Sequence, residues 1–172
     1  MPRWSSRVTS GNVVAYVGLG ANLGPAEMTL RAAIVALDQL PLTRLRIASS
    51  LYRTPPWGRQ DQAEFVNAVA ALETGLAPLA LLDALLEVEC LHGRVRLPGD
   101  RWGPRTLDLD LLLYGEHVLD LPRLRVPHPH LHERTFVVVP LAEIAAELVL
   151  PRHGMVCELL EHMDTLGLVP IR

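Results

Sequence analysis

Residues 106–114, Thr-Leu-Asp-Leu-Asp-Leu-Leu-Leu-Tyr, alternate polar and apolar side chains. That is the pattern of a strand buried on one face. Gly103-Pro104 just upstream is a breaker pair, so the strand emerges from a loop. Strict alternation puts Leu107, Leu109, Leu111 and Leu113 on one face. Thr106, Asp108, Asp110 and Tyr114, with Leu112 among them, take the other. The leucine face demands a core. The opposite face carries two carboxylates roughly 6–7 Å apart along the strand, and their repulsion would be relieved by a divalent cation. Hard oxygen ligands suit Mg²⁺, which typically takes one or two carboxylates plus substrate phosphates.

An Asp-x-Asp on the solvated face of an edge strand needs no ligand. What shifts the reading toward a site is the arginine around it. The chain has no lysine, so all sixteen basic residues are arginine, and seven of them (94, 96, 101, 105, 123, 125 and 134) flank this strand. Carboxylates for a metal beside guanidinium groups for phosphate oxygens are the parts that phosphoryl transfer requires. The missing lysine also removes a Walker lysine, Schiff-base chemistry and any lysine base.

With 172 residues, 49% of them hydrophobic, the chain is expected to be one packed domain rather than disordered. No apolar run reaches the ~18 residues of a membrane span, and residues 1–12 lack the apolar centre of a secretory signal. They read as a flexible leader to a single domain over 13–172. Cys90 and Cys157 make no disulfide framework, which suits the cytoplasm. A net charge of −3 argues against a broad nucleic-acid footprint.

In order, 13–17 reads as a buried strand running into Gly18-Leu19-Gly20-Ala21-Asn22-Leu23-Gly24. The glycine spacing fits neither a dinucleotide fingerprint nor a P-loop; it reads as a strand end and turn that lets backbone approach a ligand. A helix over 25–40, a strand over 43–53, a rigid loop at Thr54-Pro55-Pro56-Trp57-Gly58, a strand over 64–73 and a helix over 78–92 follow. Trp57 either caps the core or stacks on a ligand. Asn67, among apolar neighbours, bonds backbone or the amide-like edge of a heterocycle. Past the central strand, 115–127 is a turn-rich return. His128, His130 and His132 resemble a zinc set, but Pro129 breaks the geometry, so one functional and two surface histidines are expected. Residues 133–146 read as helical in part, 148–150 as a short apolar run and 154–163 as a weak helix. The expected fold class is therefore α+β: an antiparallel sheet in βαββαβ order packed by helices, with a mostly helical C-terminal part.

Five pieces of the sequence, in order, resemble the 6-hydroxymethyl-7,8-dihydropterin pyrophosphokinase family of folate biosynthesis. They are Tyr16–Gly24, Tyr52–Pro56, Phe65-Val-Asn67, Glu89–Arg96, and Val126-Pro-His128 through Phe136, around the most specific stretch, 101–110. The resemblance implies a ferredoxin-like sandwich, a monomer, and transfer of the β,γ-pyrophosphoryl group of ATP to the pterin hydroxymethyl oxygen, with AMP leaving. It implies Asp108 and Asp110 as ligands of two Mg²⁺ ions, either one assisting loss of the hydroxyl proton. Arg94 and Arg105 are implied as catalytic. Glu89, Arg96, Arg101, Trp102, Leu111, Arg123, His128 and Arg134 are implied on the nucleotide side. Thr54, Pro55, Trp57, Phe65, Asn67 and Phe136 are implied on the pterin side. Leu86, Leu97 and Pro129 depart from residues other members carry. Two other readings compete: a Mg²⁺-dependent phosphohydrolase or nucleotidyltransferase, and a non-catalytic nucleotide-binding regulatory module. The first would not need the aromatic clamp. The second would be indifferent to loss of either aspartate.

Overall fold

The computed structural model describes residues 8–95 and 103–171, with backbone alone for 8–10. Strand β1 (Val8–Ala21) leads to helix α1 (Ala26–Asp38), strands β2 (Thr43–Ala48), β3 (Leu51–Thr54) and β4 (Phe65–Leu76), helix α2 (Pro78–Leu91) and strand β5 (Asp108–Tyr114). Then come the hairpin β6 (Leu119–Leu121) and β7 (Leu124–Val126), a 3-10 turn (Leu131–Glu133) and helix α3 (Thr135–Ala145). The hairpin β8 (Val149–Leu150) and β9 (Gly154–Met155), helix α4 (Val156–Leu160) and strand β10 (Val169–Ile171) complete it. The main sheet has the order β10-β3-β4-β1-β5, with β2 also beside β4, and its pairings are antiparallel.

Local chemistry explains the helices. Pro78 sits in the first turn of α2, where its missing N–H costs nothing. Leu30, Ala33 and Leu37 of α1 and Ala80, Leu81, Ala84, Leu85 and Val88 of α2 recur at helical spacing and are buried. They cover one sheet face, made by Ala15, Val17 and Leu19 of β1, Val66, Ala68, Ala70 and Leu72 of β4, and Leu109 and Leu111 of β5. Each such leucine stabilises the fold by about 2 kcal/mol. The other face carries a smaller core of Val69, Leu112, Leu113, Val137, Val138, Leu141 and Val156. That second core covers only part of its face and leaves the remainder open.

Four differences from the sequence expectations have physical causes. Pairing of β5 with β1 slips between Leu111 and Leu113, a bulge at Leu112. Past it the parity of β5 inverts: Tyr114 joins Leu107, Leu109 and Leu111 in the larger core, and Leu113 joins Leu112 in the smaller. The single strand expected over 43–53 is two strands. Between them, Ser49 Oγ accepts the Val69 N–H at 3.0 Å while Ser49 N donates to Val69 O at 2.9 Å, so a side chain replaces a backbone acceptor in the ladder. β1 begins at Val8, ahead of the expected Val13, with an irregularity between those residues. Finally, the C-terminal part is not mostly helical. It contributes three hairpin or edge pairings, and β10 extends the main sheet by pairing with β3.

Candidate active site

The open part of the sheet face is a trough made by two missing side chains. Gly20 of β1 stands between Asp108 of β5 and Asn67 of β4; Gly18 stands between Asp110 and Val69. A Cβ at Gly20 would sit 2.8 Å from Asn67 Oδ1, so any larger residue would displace the Asn67 amide from its place at the trough. Both glycines lie inside β1, not at the strand end and turn expected from sequence; the turn glycine is Gly24, with φ of 65°. The trough floors a cleft lined by Pro55, Trp57, Phe65, Asn67, Phe136, Arg105, Arg134 and both aspartates.

One end of the cleft is aromatic. The Trp57 ring lies 6.2 Å from Phe136 at 61°, and the Arg134 guanidinium carbon stands 5.0 Å over the Trp57 ring, within cation–π range. Trp57 is therefore a cleft wall. Asn67 Nδ2 donates to Thr54 Oγ1 at 2.7 Å. Thr54, 1% exposed, lies behind Asn67 and fixes its amide. The other end is charged. Arg105 Nη1 donates to Asp108 Oδ2. Arg94 Nη2 is 3.8 Å from Asp108 Oδ1, and Arg134 Nη1 donates to Asp110 Oδ2 at 3.4 Å. Among the described residues Arg134 Nε is buried without a hydrogen-bond partner, leaving it donor capacity for an anion. Burial, then the neighbouring Asp108 charge, pushes the Asp110 carboxyl up to about 6 against the pull of Arg134 and Arg105. Its side chain still keeps 37% of its surface exposed toward the cleft.

A second groove lies between α2 and the β6–β7 hairpin. Leu82 and Leu86 form one wall, Leu109, Asp110 and Leu111 the floor, and Arg123, Arg125, His128 and Pro129 the far side. Asp110 lines both cavities. His128 accepts the His130 backbone N–H on Nδ1 at 3.2 Å, which leaves Nε2 to carry the proton of the neutral ring. Burial, with Arg134 and His130 nearby, holds the His128 pKa down to about 4 from 6.5. The unfolded chain thus binds the proton that the folded ring refuses between those values, and stability falls as the pH drops through that window. Denaturant midpoints at pH 7 and pH 5 are expected to show a loss about 1–2 kcal/mol smaller in His128→Asn than in the parent chain. Equal losses would remove His128 as a source of the slope. The three histidines do not converge: His130 bonds Glu133 at 2.9 Å, and His132 stacks on His153 at 3.9 Å.

Glu89 is not in either cavity. It is 1% exposed, with Oε1 accepting the Leu109 N–H at 2.7 Å, so it anchors β5 from behind and adds negative potential at Asp110. Arg96, Leu97, Arg101 and Trp102 lie outside the described residues. One residue with no role assigned from sequence belongs to the site. Asn22, 7% exposed, donates to Gln62 Oε1 at 3.1 Å and Ala63 O at 3.0 Å and accepts the Arg105 N–H at 2.8 Å. It ties the loop carrying Trp57 to the segment carrying Arg105; the signal was an Asn between two glycines just past a buried strand. Asp83, which lines neither cavity, pairs with Arg123 at the groove's edge.

A flat aromatic-walled slot, a carboxylate pair among arginines and an adjoining groove suit a transferase that moves phosphate onto a small ring compound. The comparisons give the family. The family profile of 7,8-dihydro-6-hydroxymethylpterin-pyrophosphokinase (HPPK) matches residues 16–146. The 2-amino-4-hydroxy-6-hydroxymethyldihydropteridine pyrophosphokinase of Pseudomonas aeruginosa is 55% identical over 145 residues, 84% of this chain and 88% of that one. Its Haemophilus influenzae counterpart is 50% identical over 149 residues, 87% and 92% of the two chains. Among solved structures, Plasmodium falciparum HPPK-DHPS with pteroate superposes with a TM-score of 0.70 at 14% identity, over 90% of this chain and 43% of that longer one; that likeness shows the fold. The chain belongs to the 7,8-dihydro-6-hydroxymethylpterin-pyrophosphokinase family.

Proposed function

We propose that the aromatic cleft binds the pterin, the second groove binds ATP, and the two meet at Asp110. The family's reaction is this chain's reaction: transfer of the pyrophosphoryl group of ATP to the hydroxymethyl group of 6-hydroxymethyl-7,8-dihydropterin, in folate biosynthesis. The observation that carries the site assignment is the sharing of Asp110 by both cavities. An acceptor hydroxyl in one and a β-phosphate in the other would meet beside it.

Within this reading, Phe65 and Phe136 line the slot for the flat ring, Trp57 and Pro55 border it, and Asn67, oriented by Thr54, bonds its polar edge. The apolar wall formed by Leu82, Leu86 and Leu111 takes the nucleoside, while Arg123 and the Nε2–H of His128 face its phosphates. Arg94, Arg105 and Arg134 offset charge that builds on the β-phosphate oxygens as the hydroxymethyl oxygen attacks and AMP leaves. Arg96, Arg101 and Trp102 join this assignment as loop contacts to the nucleotide.

The donor set fits Mg²⁺. Asp108 and Asp110 supply hard oxygens from one strand face, and the raised Asp110 pKa marks an under-compensated carboxylate pair. Among the described residues no cluster of three or more acidic, histidine or cysteine side chains could cage a metal. The remaining ligands would be water and phosphate oxygens, as Mg²⁺ prefers. We assign two ions to this pair; when bound they withdraw charge from the phosphates.

The strand order supports a ferredoxin-like sandwich in one domain that takes in the whole of β1. Both cysteines are free, which supports a reducing, cytoplasmic setting; we assign a monomer. No helix of the described residues is long and apolar enough to cross a membrane.

Product analysis tests the reading. With ATP, Mg²⁺ and 6-hydroxymethyl-7,8-dihydropterin, AMP is expected one-for-one with diphosphorylated pterin, and only when pterin is present. ADP with free phosphate would instead support a phosphohydrolase.

A further inference from the structure

The mouth of the second groove is spanned by a charge pair. Arg123, in the turn between β6 and β7, donates from Nη2 to Asp83 Oδ1 of α2 at 2.5 Å. Asp83 follows Leu82 and precedes Leu86, the residues that form the α2 wall, and Arg123 stands on the opposite wall. The pair therefore joins the tips of the two walls across the opening. Both partners are accessible, with 55% of the Arg123 side chain and 31% of the Asp83 side chain exposed. An exposed pair of this kind is weak and can be exchanged. The other hairpin arginine, Arg125, is engaged within the hairpin itself by Asp120 at 2.8 Å, so of the two it is Arg123 that pairs with α2.

We infer that Asp83 is the affinity-setting residue of the nucleotide groove: it holds Arg123 in a clasp that the phosphates of the incoming nucleotide must displace. The inference rests on the assignment of this groove to ATP. A polyphosphate entering beside Arg123 offers a stronger anionic partner than one carboxylate. Displacing the carboxylate from Arg123 offsets part of that affinity, and the exchange touches none of the reacting atoms. Asp83 thus tunes capture and release of the nucleotide, with the chemical step set elsewhere.

The test measures equilibrium binding of the α,β-methylene analogue of ATP with Mg²⁺ to the full chain, for Asp83→Asn, Arg123→Gln and the double variant. Steady-state KM values for ATP and pterin accompany it, and melting curves confirm folding. Asp83→Asn is expected to bind the analogue about two- to fivefold tighter, the range an exposed ion pair supports. Its KM for ATP should fall, with kcat and the pterin KM unchanged, and the gain should shrink as salt screens the pair. In the Arg123→Gln background the same change should bring no gain. Unchanged or weaker binding by Asp83→Asn would overturn the clasp. A gain that persists without Arg123 would also overturn it, reducing Asp83 to a general charge effect. If Arg123→Gln itself binds the analogue as well as the parent, the assignment of the groove to ATP fails, which is a separate result from failure of the clasp.

Discussion

Asp110→Asn is expected to lower kcat/KM by about 10³ and, at the same time, to raise Tm. The loss follows from position. Asp110 is the residue common to both cavities, and it carries the charge that would hold a cation between the two substrates. An asparagine of the same shape keeps the volume and removes that charge. The gain in stability follows from the pKa, which burial and the neighbouring Asp108 charge raise to about 6 from the ordinary 3.8. A carboxyl whose folded pKa is raised contributes stability below its unfolded pKa and loses it as the pH rises through the folded one. At pH 8 the ionised Asp110 therefore opposes folding, and the neutral amide does not. Because more than a third of the side chain meets solvent, screening trims the effect to about 1 kcal/mol, or about 2–4 °C in a chain of this size. The gain should be clear at pH 8 and smaller at pH 5, where the parent carboxyl is already largely protonated. Differential scanning calorimetry at the two pH values, beside steady-state rates, checks both halves. An enzyme that keeps full rate as Asp110→Asn would end the catalytic assignment.

That conflict between stability and charge was legible in the sequence, because Asp-x-Asp inside a leucine-rich alternation is costly unless something relieves it. The helices were legible for a similar reason: Leu30, Ala33 and Leu37 recur at a spacing only a helix can bury together, and α2 was legible from Leu79, Leu82, Leu86 and Cys90, although the face it buries is the adjoining one of Ala80, Leu81, Ala84, Leu85 and Val88. The rest depended on partners that lie far along the chain. Leu111, Leu112 and Leu113 are identical in hydropathy, so nothing local marks the bulge at Leu112; it follows from how β5 meets β1. Gly18 and Gly20 read as a turn because glycine usually signals one. Their role in mid-strand, leaving room between Asp108 and Asn67, exists only once three strands are paired. Ser49 splits a strand because its hydroxyl finds Val69. Asp83 on a helix surface reads as a solvated charge until the β6–β7 turn brings Arg123 to it. The aromatic wall is the intermediate case. Trp57 stood open between core and ligand on sequence grounds, and its place over Arg134 and beside Phe136 makes it part of the cleft.

Asn22→Ala is expected to cost about 10² in kcat and about 2 kcal/mol in stability, although Asn22 lines neither cavity. Its side chain is the hinge pin between the two ends of the cleft. Toward the aromatic end it donates to Gln62 and Ala63, just ahead of Phe65; toward the charged end it accepts the backbone N–H of Arg105. The Asn22 and Leu23 N–H groups both donate to Arg105 O, at 2.9 and 3.0 Å, so Arg105 is held by its backbone on both sides. Truncation strands the Arg105 N–H and the Ala63 carbonyl in a buried place, and an unsatisfied buried group costs about 1–3 kcal/mol. The kinetic loss has a different origin. Arg105 meets Asp108 only because its backbone is fixed, and a displacement of about 1 Å at a reacting centre costs on the order of 10² in rate. Two further variants separate positioning from mere loosening. Asn22→Asp keeps the acceptor for Arg105 but turns the Ala63 and Gln62 contacts into oxygen against oxygen. It should spare kcat relative to alanine and raise the pterin KM. Gln62→Ala removes the Asn22 contact and the Gln62 bond to Arg59 O on the loop side while sparing Arg105, and should be mild in both. Assays well below each variant's Tm make the comparison fair. If Asn22→Asp and Asn22→Ala lose kcat equally, the link to Arg105 is not what sets the rate, and Asn22 serves the fold alone.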